Sequence, residues 1–238
     1  MNWRDQAQKT LHGILHPVVR MFIRLGISPN AVTTLGLGMN FIVAVIFIYG
    51  AENGSRGDLE YIGWGGLMIL CAGAFDMLDG QVARMSGKIS KFGALYDSVL
   101  DRYSELFMFL GICYYLVAHH YFMSSIIAFV AMIGSVMVSY TRARAEGLGI
   151  PCKEGFMQRP ERVIVVGLSA ILCGFLAYLS GGGRKWQLNA LPWIQFESIS
   201  VFTIPLTFVA IFANYTAVQR LMACHKYLLD QENRENTK

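Results

Sequence analysis

The stretch that decides the fold is residues 76–101, DMLDGQVARMSGKISKFGALYDSVLD. It contains two acidic pairs, Asp76 with Asp79 and Asp97 with Asp101, spaced three and four residues apart. On helices, side chains at these spacings share one face. Because apolar segments run away from both pairs, the stretch predicts two helices that meet at their ends and bring four carboxylates together.

Composition indicates that most of the chain lies in lipid. Hydrophobic side chains make up 54% of the 238 residues and charged ones 15%, which is too apolar for a soluble domain of this size. A membrane-spanning helix needs about 20 mostly apolar residues. We therefore predict an all-α membrane protein, with one six-helix transmembrane domain over residues 27–223. Its predicted spans are 31–50, 62–84, 93–117, 121–141, 161–180 and 199–219.

The distribution of basic residues predicts the orientation of the chain. Of the 20 Lys and Arg residues, 17 lie in segments 1–30, 84–102, 142–162 and 220–238. Cytoplasmic loops hold such an excess, so in the cell membrane both termini, the acidic cluster and a polar tail over 224–238 are expected to face the cytoplasm. The net charge of +4 follows from this topology and from attraction to anionic lipids. No basic tract interleaved with aromatic residues indicates nucleic-acid binding.

Residues 1–26 form a separate amphipathic segment ahead of the first span. Leu11, Leu15 and Phe22 recur at helical spacing, and Arg20 falls among the polar positions. This pattern is typical of a helix that lies in the membrane interface. An amphipathic helix packed against the transmembrane bundle would show the same pattern.

Four carboxylates at one place imply a bound cation. In a low-dielectric setting ionised carboxylates repel one another strongly, and divalent metal ions remove that repulsion. Ligands that are all oxygen favour Mg²⁺ or Mn²⁺ over zinc, and a pair of such ions is the usual arrangement for displacement at phosphorus. The sequence therefore predicts two metal ions and a phosphoryl-type transfer, with the metal ligands Asp76, Asp79, Asp97 and Asp101.

Small residues accompany the acids. Gly80 and Ala83 follow Asp79 closely, and Gly93 precedes Asp97 by four positions. Such positions leave room either for a bound nucleotide or for the close approach of another helix. The residues themselves leave both interpretations open.

Together these residues follow the pattern D-x2-D-G-x2-A-R-x8-G-x3-D-x3-D, which resembles the signature of the CDP-alcohol phosphatidyltransferase family. The resemblance implies six transmembrane helices, a nucleotide held between their cytoplasmic ends, a two-metal centre and a homodimer. Asp76 and Asp97 would bridge both ions, and Asp79 would complete one site. Asp101 would ligate the other ion and, as catalytic base, accept the proton of the acceptor alcohol.

The resemblance also implies a binding site for the CDP group of a donor lipid, CDP-diacylglycerol or a related CDP-lipid. In the family reaction the acceptor attacks the lipid-bound phosphorus and CMP leaves. Two of the implied residues have a second interpretation, because Asn and Thr are ordinary residues at the start of a helix. The residues implied to bind the nucleotide are Asn30, Thr33, Gly80, Ala83, Arg84, Ser90 and Gly93.

A second cluster lies where the fourth predicted span ends and the fifth begins. Ser139 and Arg142 share a helical face at a spacing of three. Arg159 and Arg162 have the same spacing, and Arg is suited to bidentate capture of phosphate. The cytoplasmic excess of basic residues would also place charge here. If these four residues form a binding site, they predict an acceptor alcohol that carries a phosphate.

The segments SYTRARAE and QRPER around this cluster look most like the bacterial phosphatidylinositol-phosphate synthase branch of the family. Arg142 stands where that branch often carries Lys. The likeness implies inositol phosphate as the acceptor, and glycerol-3-phosphate, giving phosphatidylglycerol phosphate, is the alternative. An ion-coupled transporter would also place acids inside membrane helices. That class favours repeated halves with interrupted helices, and the sequence shows no such repeat.

Overall fold

The computed structural model of the protein describes residues 15–152, 155–183, 185–188 and 191–235. A first helix, α1, covers 15–24. Six long helices follow: α2 Pro29–Asn53, α3 Glu60–Met85, α4 Lys91–Ala118, α5 Phe122–Gly147, α6 Arg159–Ser180 and α7 Ser200–Glu235. Between α6 and α7, strands β1 Lys185–Leu188 and β2 Leu191–Glu197 pair antiparallel. The helical framework is as predicted, and this hairpin is an addition in what was predicted as a connection between spans.

Within the described residues, five helices are long and apolar enough to cross a membrane: α2, α3, α5, α6 and α7. Helix α4 has 28 residues, about 42 Å at 1.5 Å per residue, which exceeds the roughly 30 Å of a bilayer core. Its most apolar stretch of membrane-spanning length is less hydrophobic than those of the other five helices, because α4 is interrupted by the charged residues Asp97, Asp101, Arg102 and Glu105. The predicted membrane character is thus confirmed, and the sixth span stays a prediction.

Serine caps start the two helices that flank the acids. The hydroxyl of Ser28 accepts a hydrogen bond from the Ala31 amide at 3.2 Å, and Pro29 occupies the first turn of α2, where no amide donor is needed. At α4 the hydroxyl of Ser90 accepts from the Gly93 amide at 2.9 Å. The capped starts of α2 and α4 lie beside the end of α3, on the same side of the bundle.

Helices α3 and α6 run antiparallel and approach closely. A Cβ atom built on Gly66 would lie 2.7 Å from the Gly167 carbonyl oxygen, and one on Gly63 would lie 3.1 Å from the Cα of Gly174. Small residues at such positions let membrane helices pack backbone against backbone. The pairing brings the start of α6 beside the acidic end of α3.

Large apolar side chains cover the outside of the bundle. Among those with about half or more of their surface exposed are Trp64, Phe129, Leu172 and Phe208. In water, such a surface would be a strong liability for aggregation or association. Its distribution around the helices fits a protein whose solvent is lipid.

The described part of the N-terminal segment packs on the bundle. Val19 and Phe22 of α1 are buried in a cluster with Val32, Leu78 and Val82 of α2 and α3. Residues 1–14 of the predicted interfacial helix lie outside the described residues. At the other end, α7 continues as helix through the predicted tail to Glu235, and residues 236–238 lie outside the described part.

Candidate active site

The four predicted acids lie where α3 and α4 approach α6. Asp76 and Asp79 belong to the second half of α3, and Asp97 and Asp101 belong to the first half of α4. Asp79 is 6% exposed, and a Cβ atom on Gly36 of α2 would lie only 2.7 Å from Asp76 Oδ1. The acids are therefore enclosed by neighbouring helices.

Arg159 of α6 lies between two of these acids. Its Nη2 atom is 2.6 Å from Asp76 Oδ2, and its Nη1 atom is 2.7 Å from Asp101 Oδ1. Hydrogen bonds between charged groups at such distances are among the strongest in proteins. Arg159, predicted to bind the acceptor phosphate, thus joins α3, α4 and α6 and offsets the repulsion between the carboxylates.

The residues present fit a divalent metal ion. Among the described residues, no group donates a hydrogen bond to the buried Asp79 Oδ2, which is costly for a carboxylate unless a cation binds it. The oxygens of Asp76 and Asp101 already face one cation, the guanidinium of Arg159. Within the described chain, no group of three or more His, Cys, Asp or Glu side chains is arranged so that it could hold an ion as the side chains stand, so the fit is one of donor chemistry and not of arrangement. The donor set is all oxygen, which suits Mg²⁺ or Mn²⁺.

A cavity of about 310 Å³ opens between the starts of α2 and α4 and the end of α3. We call it the donor cavity. Asp79 and Asp97 also line it. Its walls include all seven residues predicted to bind the nucleotide: Asn30, Thr33, Gly80, Ala83, Arg84, Ser90 and Gly93.

The small residues of the donor cavity have different surroundings. A Cβ atom on Gly80 would meet only the Arg84 guanidinium, at 3.8 Å, so Gly80 borders open space rather than a packed helix. A Cβ atom on Gly93 would lie 3.0 Å from the capping Ser90 Oγ and 3.4 Å from Asn30 Oδ1. Gly80 therefore fits the interpretation that a small residue leaves room for a ligand, whereas Gly93 fits the interpretation that a small residue allows close packing.

A second cavity, of about 430 Å³, lies between α4, α5, α6 and α7. We call it the acceptor cavity. Asp97 and Asp101 line it, so the two cavities meet at Asp97. Its walls also contain the predicted phosphate-binding residues Ser139, Arg142, Arg159 and Arg162.

The arginines of the acceptor cavity differ in their partners. The Nε atom of Arg142 is 2.8 Å from Glu146 Oε1, and both side chains are about half exposed. Arg162 has no exposed surface, and its Nε and Nη2 atoms lie 2.9 and 2.6 Å from Glu105 Oε1. Only the first of these pairs is accessible to a ligand.

Sequence reasoning missed two charged residues at this site. Arg220 of α7 lines the acceptor cavity, is 3% exposed and donates to the Val138 carbonyl at 2.7 Å. The sequence did contain an indication of Arg220, because it is an isolated arginine directly after the last predicted span, and a charge at such a position suggests a function. Glu105 extends the spacing of Asp97 and Asp101 by one more turn along α4.

The chain belongs to the CDP-alcohol phosphatidyltransferase family, whose sequence model matches residues 26–195. The resemblance seen in the acidic signature is thereby confirmed, and the protein is a transferase of phospholipid biosynthesis. The phosphatidylinositol phosphate synthase of Corynebacterium glutamicum is 31% identical over 230 residues, covering 95% of this chain and 90% of the relative. The enzyme of that name from Mycobacteroides abscessus is 31% identical over 189 residues, 79% of each chain.

Solved structures of one relative show the same fold. The Mycobacterium tuberculosis phosphatidylinositol phosphate synthase in complex with manganese and citrate has a TM-score of 0.70 at 28% identity, covering 87% of both chains. The same enzyme with CDP-DAG bound has a TM-score of 0.68, covering 87% of this chain and 92% of that one. The branch indicated by the basic segments is therefore the one to which these similar proteins belong.

Proposed function

We propose that the protein transfers the phosphatidyl group of CDP-diacylglycerol, or of a related CDP-lipid, to inositol phosphate and releases CMP. The observation that carries this proposal is the pair of cavities that meet at Asp97. One holds small residues and helix starts suited to a nucleotide, and the other holds arginines suited to a phosphate. The names of the relatives, and the CDP-DAG bound to one of them, support the same donor and acceptor.

The donor cavity suits a pyrophosphate. The first turns of α2 and α4 line it, and the positive ends of the two helix dipoles favour anions. Arg84 adds a positive charge, and the open space at Gly80 admits the ligand close to the backbone. The nucleotide would therefore lie against α3 with its phosphates directed toward Asp79 and Asp97.

Two Mg²⁺ or Mn²⁺ ions, when bound by Asp76, Asp79, Asp97 and Asp101, would neutralise the pyrophosphate and polarise its phosphorus–oxygen bonds. Asp101 faces the acceptor cavity and takes the proton of the acceptor hydroxyl. The hydroxyl oxygen then forms a bond to the lipid-bound phosphorus as the bond to CMP breaks. The reaction needs no covalent intermediate on the protein.

The acceptor cavity suits a phosphorylated alcohol better than a neutral one. Arg142 and Arg220 line it together with Arg159. Arg142 and Arg159 already contact carboxylates, but the half-exposed Arg142 could also bind a phosphate, which a neutral acceptor would not supply. Glycerol-3-phosphate carries the same group, so the names of the relatives, rather than the charge, favour inositol phosphate.

We further propose that α4 is the sixth transmembrane helix and that both cavities and both termini face the cytoplasm. Support comes from the length of α4 and from the concentration of Lys and Arg around the cavity side of the bundle. Residues 1–26 would lie in the interface at that face, with α1 docked on the bundle. A homodimer in the cell membrane completes the proposal, on the resemblance to the family.

The test is CMP release by the purified protein in detergent with CDP-diacylglycerol and Mg²⁺. Inositol phosphate, glycerol-3-phosphate, inositol and serine are compared as acceptors. We expect inositol phosphate to stimulate release and a chelator to abolish it. If only glycerol-3-phosphate stimulates CMP release, glycerol-3-phosphate is the acceptor and inositol phosphate is not. If folded protein releases no CMP with any acceptor, the proposed reaction is wrong.

A further inference from the structure

A chain of buried polar contacts adjoins the acceptor cavity. Arg162 is 0% exposed and Glu105 is 3% exposed, and two guanidinium nitrogens bind Glu105 Oε1 at 2.9 and 2.6 Å. The third, Nη1, donates to the Met157 carbonyl at 3.0 Å, and the Met157 amide donates to Thr216 Oγ1 at 3.3 Å. The contacts tie α4 to the segment before α6 and to α7.

Stability alone is a weak reason for this arrangement. Taking two charges out of water is costly, and well-packed apolar residues of similar volume often serve as well as a buried ion pair. Hydrogen bonds are directional, however, so a satisfied buried network holds its members in one geometry. Glu105 and Arg162 therefore hold α4 and α6 at a definite height relative to each other.

Each end of the network lies one helical turn from a residue of the acceptor cavity. In α4, Glu105 follows Asp101 by four positions, and in α7, Thr216 precedes Arg220 by four. Arg162 likewise follows Arg159 by three positions in α6. A shift of the network would move the base and the cavity arginines relative to one another.

We propose that Glu105, acting through Arg162 and Thr216, is a positioning residue that sets the separation between Asp101 and the arginines of the acceptor cavity. Arg162 is then a positioning residue and not a phosphate ligand. All three of its guanidinium nitrogens already bind protein oxygens, and although it borders the cavity it exposes no surface. The inference rests on the proposed function, because it takes this cavity as the acceptor site.

The test compares Glu105→Gln, which keeps the shape and removes the charge, with Thr216→Val, which removes one hydroxyl. The control is Thr207→Val, because Thr207 lies on the same helix and its hydroxyl donates to the Thr203 carbonyl of α7 at 2.8 Å, away from this network. Steady-state kinetics give kcat and KM for inositol phosphate and for CDP-diacylglycerol. Calorimetric titration gives the Kd for inorganic phosphate.

We expect Glu105→Gln to raise the acceptor KM and the phosphate Kd about tenfold, and Thr216→Val to raise both about threefold. The KM for the CDP-lipid should change in neither variant, and Thr207→Val should match the wild type. A merely structural role would lower the amount of folded protein or its Tm without changing these constants.

Acceptor constants that stay unchanged in both variants would overturn the inference. If Glu105→Gln does not fold, the acceptor KM and the phosphate Kd of Thr216→Val alone test the inference. Turnover with glycerol-3-phosphate only would reject the proposed acceptor, while the Kd for inorganic phosphate would still report on the network. A wild-type protein that binds no inorganic phosphate would overturn both the acceptor site and its positioning network.

Discussion

The donor and acceptor cavities share Asp97 but are built in different ways. The donor cavity is formed mostly by one stretch of chain, from the end of α3 through the start of α4, with α2 beside it. The acceptor cavity takes its walls from four helices, α4 to α7, and holds arginines that bind acidic or carbonyl partners. On the proposed function, the first cavity would recognise its ligand by open space beside the backbone, and the second would recognise its ligand by the charges of its arginines.

This difference predicts that the two sides respond separately to substitution. Changes on the donor side should alter the KM for the CDP-lipid, and changes on the acceptor side should alter the KM for the phosphorylated alcohol. Residues that touch both substrates should change kcat. The predictions below test that separation, beginning with the largest effect.

Loss of the proposed base, Asp101, should lower turnover more than any other substitution considered. Asp101→Asn keeps the shape of the side chain but cannot accept the proton, so we expect kcat to fall by about 10³-fold, with the Kd for CDP-diacylglycerol within about twofold of the wild type. CMP release and equilibrium binding of the lipid measure the two quantities. Asp58→Asn, in the connection between α2 and α3, is the matched control. An Asp101→Asn variant with wild-type turnover would contradict the assigned role.

Filling the donor cavity should affect the CDP-lipid alone. Gly80→Leu would place a side chain in the open space beside Arg84, and we expect the KM for CDP-diacylglycerol to rise at least tenfold, roughly the size of a steric mismatch in a pocket. The control is Gly38→Leu, since a Cβ atom at Gly38 meets nothing within 4 Å. An equal rise in the KM for the acceptor would show that the cavities are not separate.

Removing an accessible arginine should affect the acceptor alone. We expect Arg142→Ala to raise the KM for inositol phosphate about tenfold, because a charge-assisted contact to phosphate is lost, and to leave the KM for the CDP-lipid unchanged. Arg144→Ala is a close control: it lies two residues away on α5 but lines an apolar groove between α5 and α7 instead. If both variants raise the KM equally, net charge rather than the cavity determines acceptor binding.

The donor cavity was predictable because its residues are neighbours in the chain. The acids and glycines of 76–101 recur at helical spacings, so the sequence alone places them on adjoining helix faces, and all the predicted nucleotide residues line one cavity. The acceptor cavity depends on tertiary packing. No spacing in the sequence indicates that Arg220 and Ser139 line the same cavity. Nor does any spacing indicate that Arg162 is buried in an ion pair with Glu105.

The predicted fold shows a similar limit. Apolar windows located the long helices to within a few residues, apart from α5, which ends six residues beyond its predicted span, and the longer α7. The hairpin between α6 and α7 was missed because its short alternating segments lie in a stretch that looks like a loop between spans. The interaction of Arg159 with the acids was missed for another reason. Positive-inside bias and phosphate binding both explained that arginine, and neither required a carboxylate partner.

The smallest expected effect concerns Arg159, which contacts the acids and also lines the acceptor cavity. Its guanidinium binds the oxygens of Asp76 and Asp101 that a divalent ion would use, and its charge repels that ion. We therefore expect Arg159→Gln to lower the Kd for Mn²⁺ about threefold, as seen in the signal of free Mn²⁺ by electron paramagnetic resonance. Arg24→Gln, on the exposed face of α1, controls for net charge. A higher Kd in Arg159→Gln would mean that the arginine organises the acids for the metal rather than competing with it, and that the two cavities share more than Asp97.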